Sequence, residues 1–285
     1  MPLFAAAASG LFAERGLRVE LLDPLGGGPE GVSGVAEGRA DFALTSVYYA
    51  LEARRRAGGE LPVRFVAVLH QRSPLAAFVA VDSPLRRPAD LGGCRVSKSN
   101  APWFDADYQA ALARLGVEPA VMVGPDELGR RPSLDRGEVD VIGSWAEAVA
   151  VIRRRAGIPV RCIPFGPPIY TTGLVAPDQV RHDVVTRMAA ALSEAVSQRC
   201  QRPDLGMEQL CERFPAVRPA DAAEEWSILE SYLLERRPAA MDADLWQDTL
   251  RYESDTHGFA HHPTRQVVRE ELMRLPPPQL STFDQ

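Results

Sequence analysis

Short apolar runs alternate with segments of helical periodicity in the N-terminal part of the chain. The run at residues 62–69 is almost continuously apolar, which is typical of a strand buried on both faces. Alternating strands and helices indicate an α/β fold with a mostly parallel sheet. The predicted strands here are 17–23, 40–46 and 62–69, and the predicted helices are 2–16, 30–39 and 47–56.

A second α/β block lies between two further extended segments, residues 73–84 and 169–177. Gly16 is expected to end the first helix in a left-handed conformation. After residue 183 the pattern becomes helical, and the residues from 261 onwards are predicted to form a loosely attached tail. Inside the block we predict strands at 94–97, 120–124, 139–144 and 159–165 and helices at 103–116, 125–136 and 145–157; the later helices are 183–200, 207–214, 222–235 and 242–252.

Two extended crossings that flank an α/β block predict a discontinuous, two-lobed protein. We assign residues 1–77 and 175–260 to one lobe, 78–174 to the other, and 261–285 to the tail. Ligands of open α/β sheets bind beyond the carboxyl ends of the strands. The predicted ligand site is therefore a cleft between the lobes, which hinge motion would close.

Charge and composition narrow the functional classes. A net charge of -6 over 285 residues argues against non-specific binding to nucleic acid. No apolar run reaches the roughly 20 residues that are needed to span a bilayer. We therefore do not expect this chain to be an integral membrane protein. The four cysteines form no CxxC pair, which favours free thiols. Lys98 is the only lysine, so any lysine-dependent chemistry would have to use it.

Polar side chains that follow the predicted strands are the candidates for ligand contact. Each has a structural alternative: a helix cap, a solvated hinge loop or a core position. Arg72 can pair with an anion through two hydrogen bonds. The candidates are Thr45, Ser46, His70, Gln71, Arg72, Ser97, Lys98, Ser99, Asn100, Trp103, Ser144, Trp145, Tyr170, Thr171 and Thr172.

The stretch SKSNAPWF, residues 97–104, is the most informative of these. It lies between a strand and a helix N-terminus, where backbone N–H groups and the helix dipole favour an anion. Trp103 and Phe104 are suited to contact an aromatic or apolar part of the ligand. The alternative is ordinary helix capping, with Trp103 packed in the lobe core.

Four segments together resemble one protein family in order and spacing: PLFAAAASGLFAERGLRVEL, GVAEGRADFALTS, DSPLRRPADLGGCRVSKSN and DRGEVDVIGSWAEAV. They are similar to substrate-binding proteins of ABC importers for sulfonates, nitrate, taurine and thiamine-pyrimidine precursors. The resemblance implies the type II periplasmic-binding-protein fold, a small-molecule ligand and an ABC permease as partner. It covers residues 2–177 well and the helical C-terminal part loosely.

In that family a signal peptide and a first strand precede the helix at which this sequence begins. The resemblance therefore implies either a natural start further upstream, with a periplasmic or cell-surface location, or another way of filling the place of that strand; the sequence as it stands predicts a cytoplasmic location. In the family, the first strand lies between the strands matched by residues 17–23 and 40–46.

The sequence is compatible with two functions. The favoured one is a binding protein that closes on an anionic or heteroaromatic ligand, with no catalytic residues, cofactor or metal. The alternative is an intracellular enzyme on the same fold. Pyrimidine-precursor synthases carry a CCCFC motif that is absent here, and no His or RxGG pattern of the aromatic-sulfinate desulfinases occurs around residues 32–49. GxSxG, HExxH and spaced Cys/His sets are also absent.

Overall fold

A computed structural model describes residues 2–22, 28–124, 132–234 and 239–273. The chain divides into two compact units, each assembled from separate stretches of sequence. The first unit comprises Met1–Arg72, Pro168–Pro219 and Glu230–Gln285, and the second comprises Ser73–Pro167 and Ala220–Leu229.

The sheet of the first unit contains three strands among the described residues, in the order β1-β8-β2. They are β1 (Ala43–Ser46), β2 (Val63–Val68) and β8 (Thr172–Pro177). Strand β8 pairs antiparallel with both β1 and β2. The prediction of a mostly parallel sheet is therefore wrong for this unit. Gly173 permits the close packing of β8 on β2, because a Cβ there would lie 2.5 Å from the Ala67 carbonyl oxygen.

Helices pack around this sheet and bury an apolar core. Along α7, Val185, Leu192 and Val196 are fully buried at spacings that keep them on one helical face. Trp246 of α10 packs on the rings of Phe65 and Tyr170, with centroids 5.1 Å apart in both pairs. The helices of this unit are α1 (Pro2–Ala8), α2 (Leu11–Glu14), α3 (Pro29–Ala36), α4 (Val47–Arg56), α7 (His182–Gln201), α8 (Met207–Arg213), α10 (Ala243–His257) and α11 (Thr264–Val267).

The predicted first helix is interrupted, and the strand predicted after it does not form. Gly10 adopts a left-handed conformation (φ 75°) between α1 and α2, and Gly16 is left-handed as predicted (φ 64°). Residues 17–22 keep the alternation of a strand, with Leu17 and Val19 packed on the core and Arg18 exposed. They pair with no strand in the part of the chain that the structure describes, and an extended segment without such a neighbour has no ladder to stabilise it.

The second unit has a five-stranded sheet in the order β5-β4-β6-β3-β7. Strand β4 pairs parallel with β5 and β6, whereas β3 runs antiparallel to β6 and β7. The carboxyl ends of β4, β5, β6 and β7 therefore lie at one edge, where β3 begins. The elements are β3 (Leu75–Ala80), β4 (Arg95–Ser97), α5 (Pro102–Arg114), β5 (Val121–Val123), β6 (Val141–Trp145), α6 (Val149–Ala156) and β7 (Val160–Pro164), with 3-10 turns at Pro88–Leu91 and Ala146–Ala148.

Helix α9 (Pro219–Leu233) contributes its residues 220–229 to the second unit. Arg153 of α6 pairs with Glu224 at 2.8 Å, and Arg154 pairs with Asp221. The helix predicted at 125–136 falls mostly on residues 125–131, outside the described residues, and residues 132–136 are not helical.

The predicted C-terminal tail is wrong as far as residue 273. Val267, Val268 and Leu272 are buried in the core of the first unit, and the Arg269 N–H donates to the Phe65 carbonyl oxygen at 3.1 Å. Burial of these apolar side chains fixes the segment to the core, although terminal residues are commonly loosely attached. Residues 274–285 lie outside the described residues.

All four cysteines carry free thiols, in agreement with the sequence, although they are half-buried rather than buried. In the described ranges, no helix combines the length and the apolar character needed to cross a bilayer.

Candidate functional site

In the first unit, three strand ends meet at one edge of the sheet. Strands β1 and β2 finish there, and Ser46 is paired with Thr172, the first residue of β8. The N–H groups of Leu69 and His70 both donate to the Thr172 carbonyl oxygen, at 2.9 and 3.1 Å. The Val47 N–H donates to the Thr171 carbonyl oxygen at 2.9 Å. This arrangement brings together five of the candidate residues: Thr45, Ser46, His70, Thr171 and Thr172.

Thr45 and Ser46 use their hydroxyl groups differently. Ser46 caps helix α4: its Oγ accepts a hydrogen bond from the Tyr49 N–H at 3.1 Å, which is the structural alternative foreseen for it. Thr45 is 8% exposed, and its Oγ1 has no hydrogen-bond partner within the described residues. A buried hydroxyl without a partner is costly, so Thr45 is the stronger candidate for a ligand contact.

His70 contacts Thr171, one of the two adjacent threonines at this edge. Its Nδ1 lies 3.3 Å from Thr171 Oγ1. Burial lowers the pKa of His70 to about 4, so the imidazole is neutral at pH 7. A neutral imidazole offers one donor and one acceptor, and His70 adds no positive charge for an anion.

Three other candidates of the first unit make internal contacts. The Gln71 side chain donates to the carbonyl oxygens of Val68 at 3.3 Å and Ala240 at 3.4 Å. The Arg72 guanidinium lies 4.9 Å from the centre of the Tyr232 ring, a cation–π distance. Tyr170 is 1% exposed, and its hydroxyl accepts from the Asp242 N–H at 2.8 Å.

In the second unit, the loop after β4 is organised by a carboxylate that sequence reasoning missed. Asp105 Oδ1 accepts from the Ser99 N–H at 2.9 Å, and Ser99 Oγ accepts from the Ala101 N–H at 3.0 Å. The Lys98 N–H donates to the Val123 carbonyl oxygen. These three N–H groups are therefore not free for an anion, contrary to the prediction.

Asp105 is itself unusual. It is 9% exposed, burial raises its pKa, and its Oδ2 has no hydrogen-bond partner among the described residues. Its position in the first turn of α5, six residues after Ser99, was the only sequence signal for this role. The side chains of Lys98 and Asn100 are exposed, while Ser97 and Ser99 are half-buried.

Three aromatic rings lie at the same edge, where β6 ends and α5 begins. The Trp103 and Trp145 rings stack with centroids 6.1 Å apart and planes 28° apart. Phe104 meets the Trp145 ring edge-on at 5.1 Å. Both tryptophans are partly exposed while packing on the core, so part of each ring faces outwards. Ser144, also half-buried, precedes Trp145.

Glu147 is a second group that the sequence did not single out. It follows β6 by two residues, and its Oε2 is buried without a partner in the ranges described. Burial, reinforced by Glu225, raises the pKa of Glu147 to about 7. Its place directly after the strand end, in the predicted series with Ser144 and Trp145, could have drawn attention to it.

The chemistry available at these edges is hydrogen bonding and aromatic contact. The described residues contain no group of three His, Cys, Asp or Glu side chains arranged to hold a metal ion.

Solved structures with the same fold include both binding proteins and an enzyme. The periplasmic aliphatic sulphonate binding protein SsuA from Escherichia coli superposes with a TM-score of 0.65 at 15% identity, covering 100% of this chain and 91% of that one. The alkanesulfonate-binding protein SsuA from Xanthomonas axonopodis pv. citri, bound to MOPS, gives 0.57 at 15% identity over 95% and 93%. The desulfurization enzyme DSZB gives 0.59 at 16% identity over 95% and 94%.

These similarities confirm the periplasmic-binding-protein fold predicted from the sequence. The NMT1/THI5-like family model matches residues 1–205, and the chain belongs to that family. No curated protein matches the sequence.

Proposed function

We propose that this protein binds a small organic anion as the solute-binding component of an ABC importer. The observation that carries the proposal is the edge of the second unit, where Ser97, Ser99 and Ser144 lie with the Trp103–Trp145 pair. Hydroxyl groups can donate to ligand oxygens, and partly exposed indole rings can contact a planar or apolar portion. Membership of the family and the similarity to sulfonate-binding proteins support this assignment.

In the first unit, the unpartnered Thr45 Oγ1 and the His70–Thr171 pair supply further neutral polar groups. We expect them to contribute hydrogen bonds to a ligand rather than charge. The proposal also implies a permease as partner and a periplasmic location, as the Escherichia coli relative is described.

A thermal-shift screen tests the proposal. A ligand that binds only the folded protein stabilises it by about 2.7 kcal/mol at 100 times its Kd, enough to raise the melting temperature measurably. We expect shifts with organic sulfonates and a larger shift with benzenesulfonate than with ethanesulfonate, because the indole rings favour an aromatic group. The absence of any shift across sulfonates, nitrate and pyrimidines would contradict the proposed function.

Two substitutions examine the site itself. Trp145→Ala and Ser99→Ala should weaken binding of whichever ligand the screen identifies, while the protein remains folded. Ser227→Ala is the matched control, because Ser227 is an exposed serine of α9 whose hydroxyl donates to the Glu224 carbonyl oxygen. Unchanged affinity in both site variants would place the ligand elsewhere.

An enzymatic role is the second candidate, favoured by the similarity to DSZB. Three of the four cysteines are unsuited to act as a nucleophile: burial raises the pKa of Cys162 to about 11 and that of Cys200 to about 12, and also raises the pKa of Cys94. These thiols remain protonated at neutral pH and are poor nucleophiles. We expect no consumption of biphenyl-2-sulfinic acid, the molecule bound to a DSZB variant, when it is followed by chromatography. Consumption of biphenyl-2-sulfinic acid would instead favour the enzymatic role over the binding role.

A further inference from the structure

A pocket of about 420 Å³ lies in the first unit, between α10 and the segment that follows it. The exposed residues Gln247 and Arg251 line one wall with Leu250, at spacings that place all three on one helical face. The opposite wall consists of His261, His262, Pro263 and Thr264.

The wall opposite α10 is held in place at both ends. Gly258 ends α10 in a left-handed conformation, and the buried Phe259 follows, with its carbonyl oxygen accepting from Ser254 Oγ at 2.9 Å. On the other side Val267 is 3% exposed and belongs to the core. The pocket is therefore formed before any ligand binds, which lowers the ordering cost of binding.

The polar side chains lining the pocket are donors or can become donors. Arg251 offers a planar guanidinium, Thr264 a hydroxyl and Gln247 an amide, and the two histidines gain a second N–H when protonated. None of the described residues that line the pocket carries a carboxylate. Asp248, the partner of Arg251 at 3.1 Å, is exposed, and such a surface pair is easily exchanged for another anion.

The surroundings of His262 are positive. Burial lowers its pKa, the hydrogen bond with Gln266 raises it, and the charges of Arg54 and His261 lower it further. Arg54 donates to main-chain oxygens, including that of Gln266 at 2.6 Å, so these bonds do not neutralise its charge. His262 Nδ1 lies 3.3 Å from Gln266 Oε1, an acceptor; this contact leaves the proton on Nδ1 of the neutral ring. An anion in the pocket would offset the positive charges of Arg54 and His261 and so favour protonation of His262.

We propose that this pocket binds the phosphate group of a small phosphorylated molecule. Arg251 would hold two phosphate oxygens, Thr264 and Gln247 would donate to the phosphate, and His262 would take up a proton on binding. Leu250 and Pro263 provide an apolar surface for the organic part of the ligand. This site is separate from the proposed solute site and does not depend on the transport assignment.

Histidine NMR is a direct test, because only five histidines give ring signals. Sulfate serves as the first probe, since it stays divalent over the pH range in which histidine titrates. At constant ionic strength we expect saturable shifts of His261 and His262 but not of His182. Affinity should rise as the pH falls from about 7.5 to about 6 and below, as His262 gains a proton. The absence of saturable shifts at His261 and His262 would overturn the proposal.

A comparison of phenyl phosphate with inorganic phosphate tests whether the site binds a phosphorylated organic molecule or free phosphate. Tighter binding of phenyl phosphate supports a phosphorylated organic ligand, whereas equal affinity would reduce the site to one for free phosphate and contradict the proposal in its stated form.

Substitutions test whether phenyl phosphate binds in this pocket. Arg251→Gln and His262→Gln should each weaken phenyl phosphate binding at least about fivefold, because each removes a positive donor. Arg39→Gln is the control, since Arg39 is also exposed and paired with a nearby carboxylate, Glu37. Wild-type affinity in both pocket variants would overturn the proposal. Trp145→Ala should leave this binding intact, so the outcome is distinct from that of the solute-site tests.

Discussion

Gly143 of β6 sits against two aromatic rings in the core of the second unit. A Cβ at this position would lie 2.9 Å from Tyr108 Cδ2 and 3.2 Å from Phe104 Cε1. Tyr108 is 0% exposed and Phe104 is 6% exposed, so neither ring has room to withdraw. We predict that Gly143→Ala lowers the free energy of unfolding by about 1–3 kcal/mol, the usual cost of overpacking. Urea denaturation measures the change.

Gly31 provides the matched control for this residue. It lies within α3, and a Cβ there would meet nothing within 4 Å. Gly31→Ala should therefore stabilise the protein by about 0.5–1 kcal/mol, since alanine loses less backbone entropy in a helix. If the two variants were equally stable, the close packing at Gly143 would be disproved.

At the level of single elements, the residue that caps helix α4, Ser46, was also a ligand candidate. Ser46→Ala removes the hydrogen bond from the Tyr49 N–H and should cost about 1 kcal/mol of stability. Ser46→Asp retains an acceptor at the cap and should restore most of that loss. Chemical denaturation gives the stability, and titration with the ligand from the screen gives the affinity. A loss of affinity in Ser46→Asp at full stability would instead assign Ser46 to the ligand.

For the molecule as a whole, His70 and Glu147 have opposite effects on how the free energy of unfolding changes with pH. His70 has a pKa of about 4 when folded, against 6.5 ordinarily, so the unfolded chain binds more protons in that window and stability falls as the pH is lowered through it. Glu147 has a pKa of about 7 when folded, against 4.5, so the folded chain binds more protons and stability falls as the pH rises.

We predict that the variants at these positions change the pH profile in opposite senses. Relative to wild type, His70→Gln should become more stable as the pH falls from 6.5 towards 4, and Glu147→Gln should become more stable as the pH rises from 4.5 to 7. Unfolding curves across pH measure both effects, with the exposed His182 and Glu118 substituted by Gln as controls. Parallel profiles for the four variants would contradict the burial of both groups.

Local signals predicted many of the elements well. The apolar run at 62–69 became β2, and the helix predicted at 47–56 has the same bounds as α4. The fold class followed from the order of such elements, and the family followed from the resemblance of four segments to its members. The burial of the Tyr170 and Gln71 side chains was not predicted, since position near a strand end does not decide which way a side chain turns.

The amino-acid sequence alone was therefore sufficient to predict most of the strands and helices, the family and the strand ends at which polar residues gather. Periodicity and turn residues act over a few neighbours and are visible in one dimension. Three features follow only from the folded chain: residues 17–22 pair with no described strand, Val268 is buried beside Phe65, and Asp105 holds the Ser99 loop. Each of these outcomes depends on partners elsewhere in the chain, through hydrogen bonds and burial that no local pattern specifies.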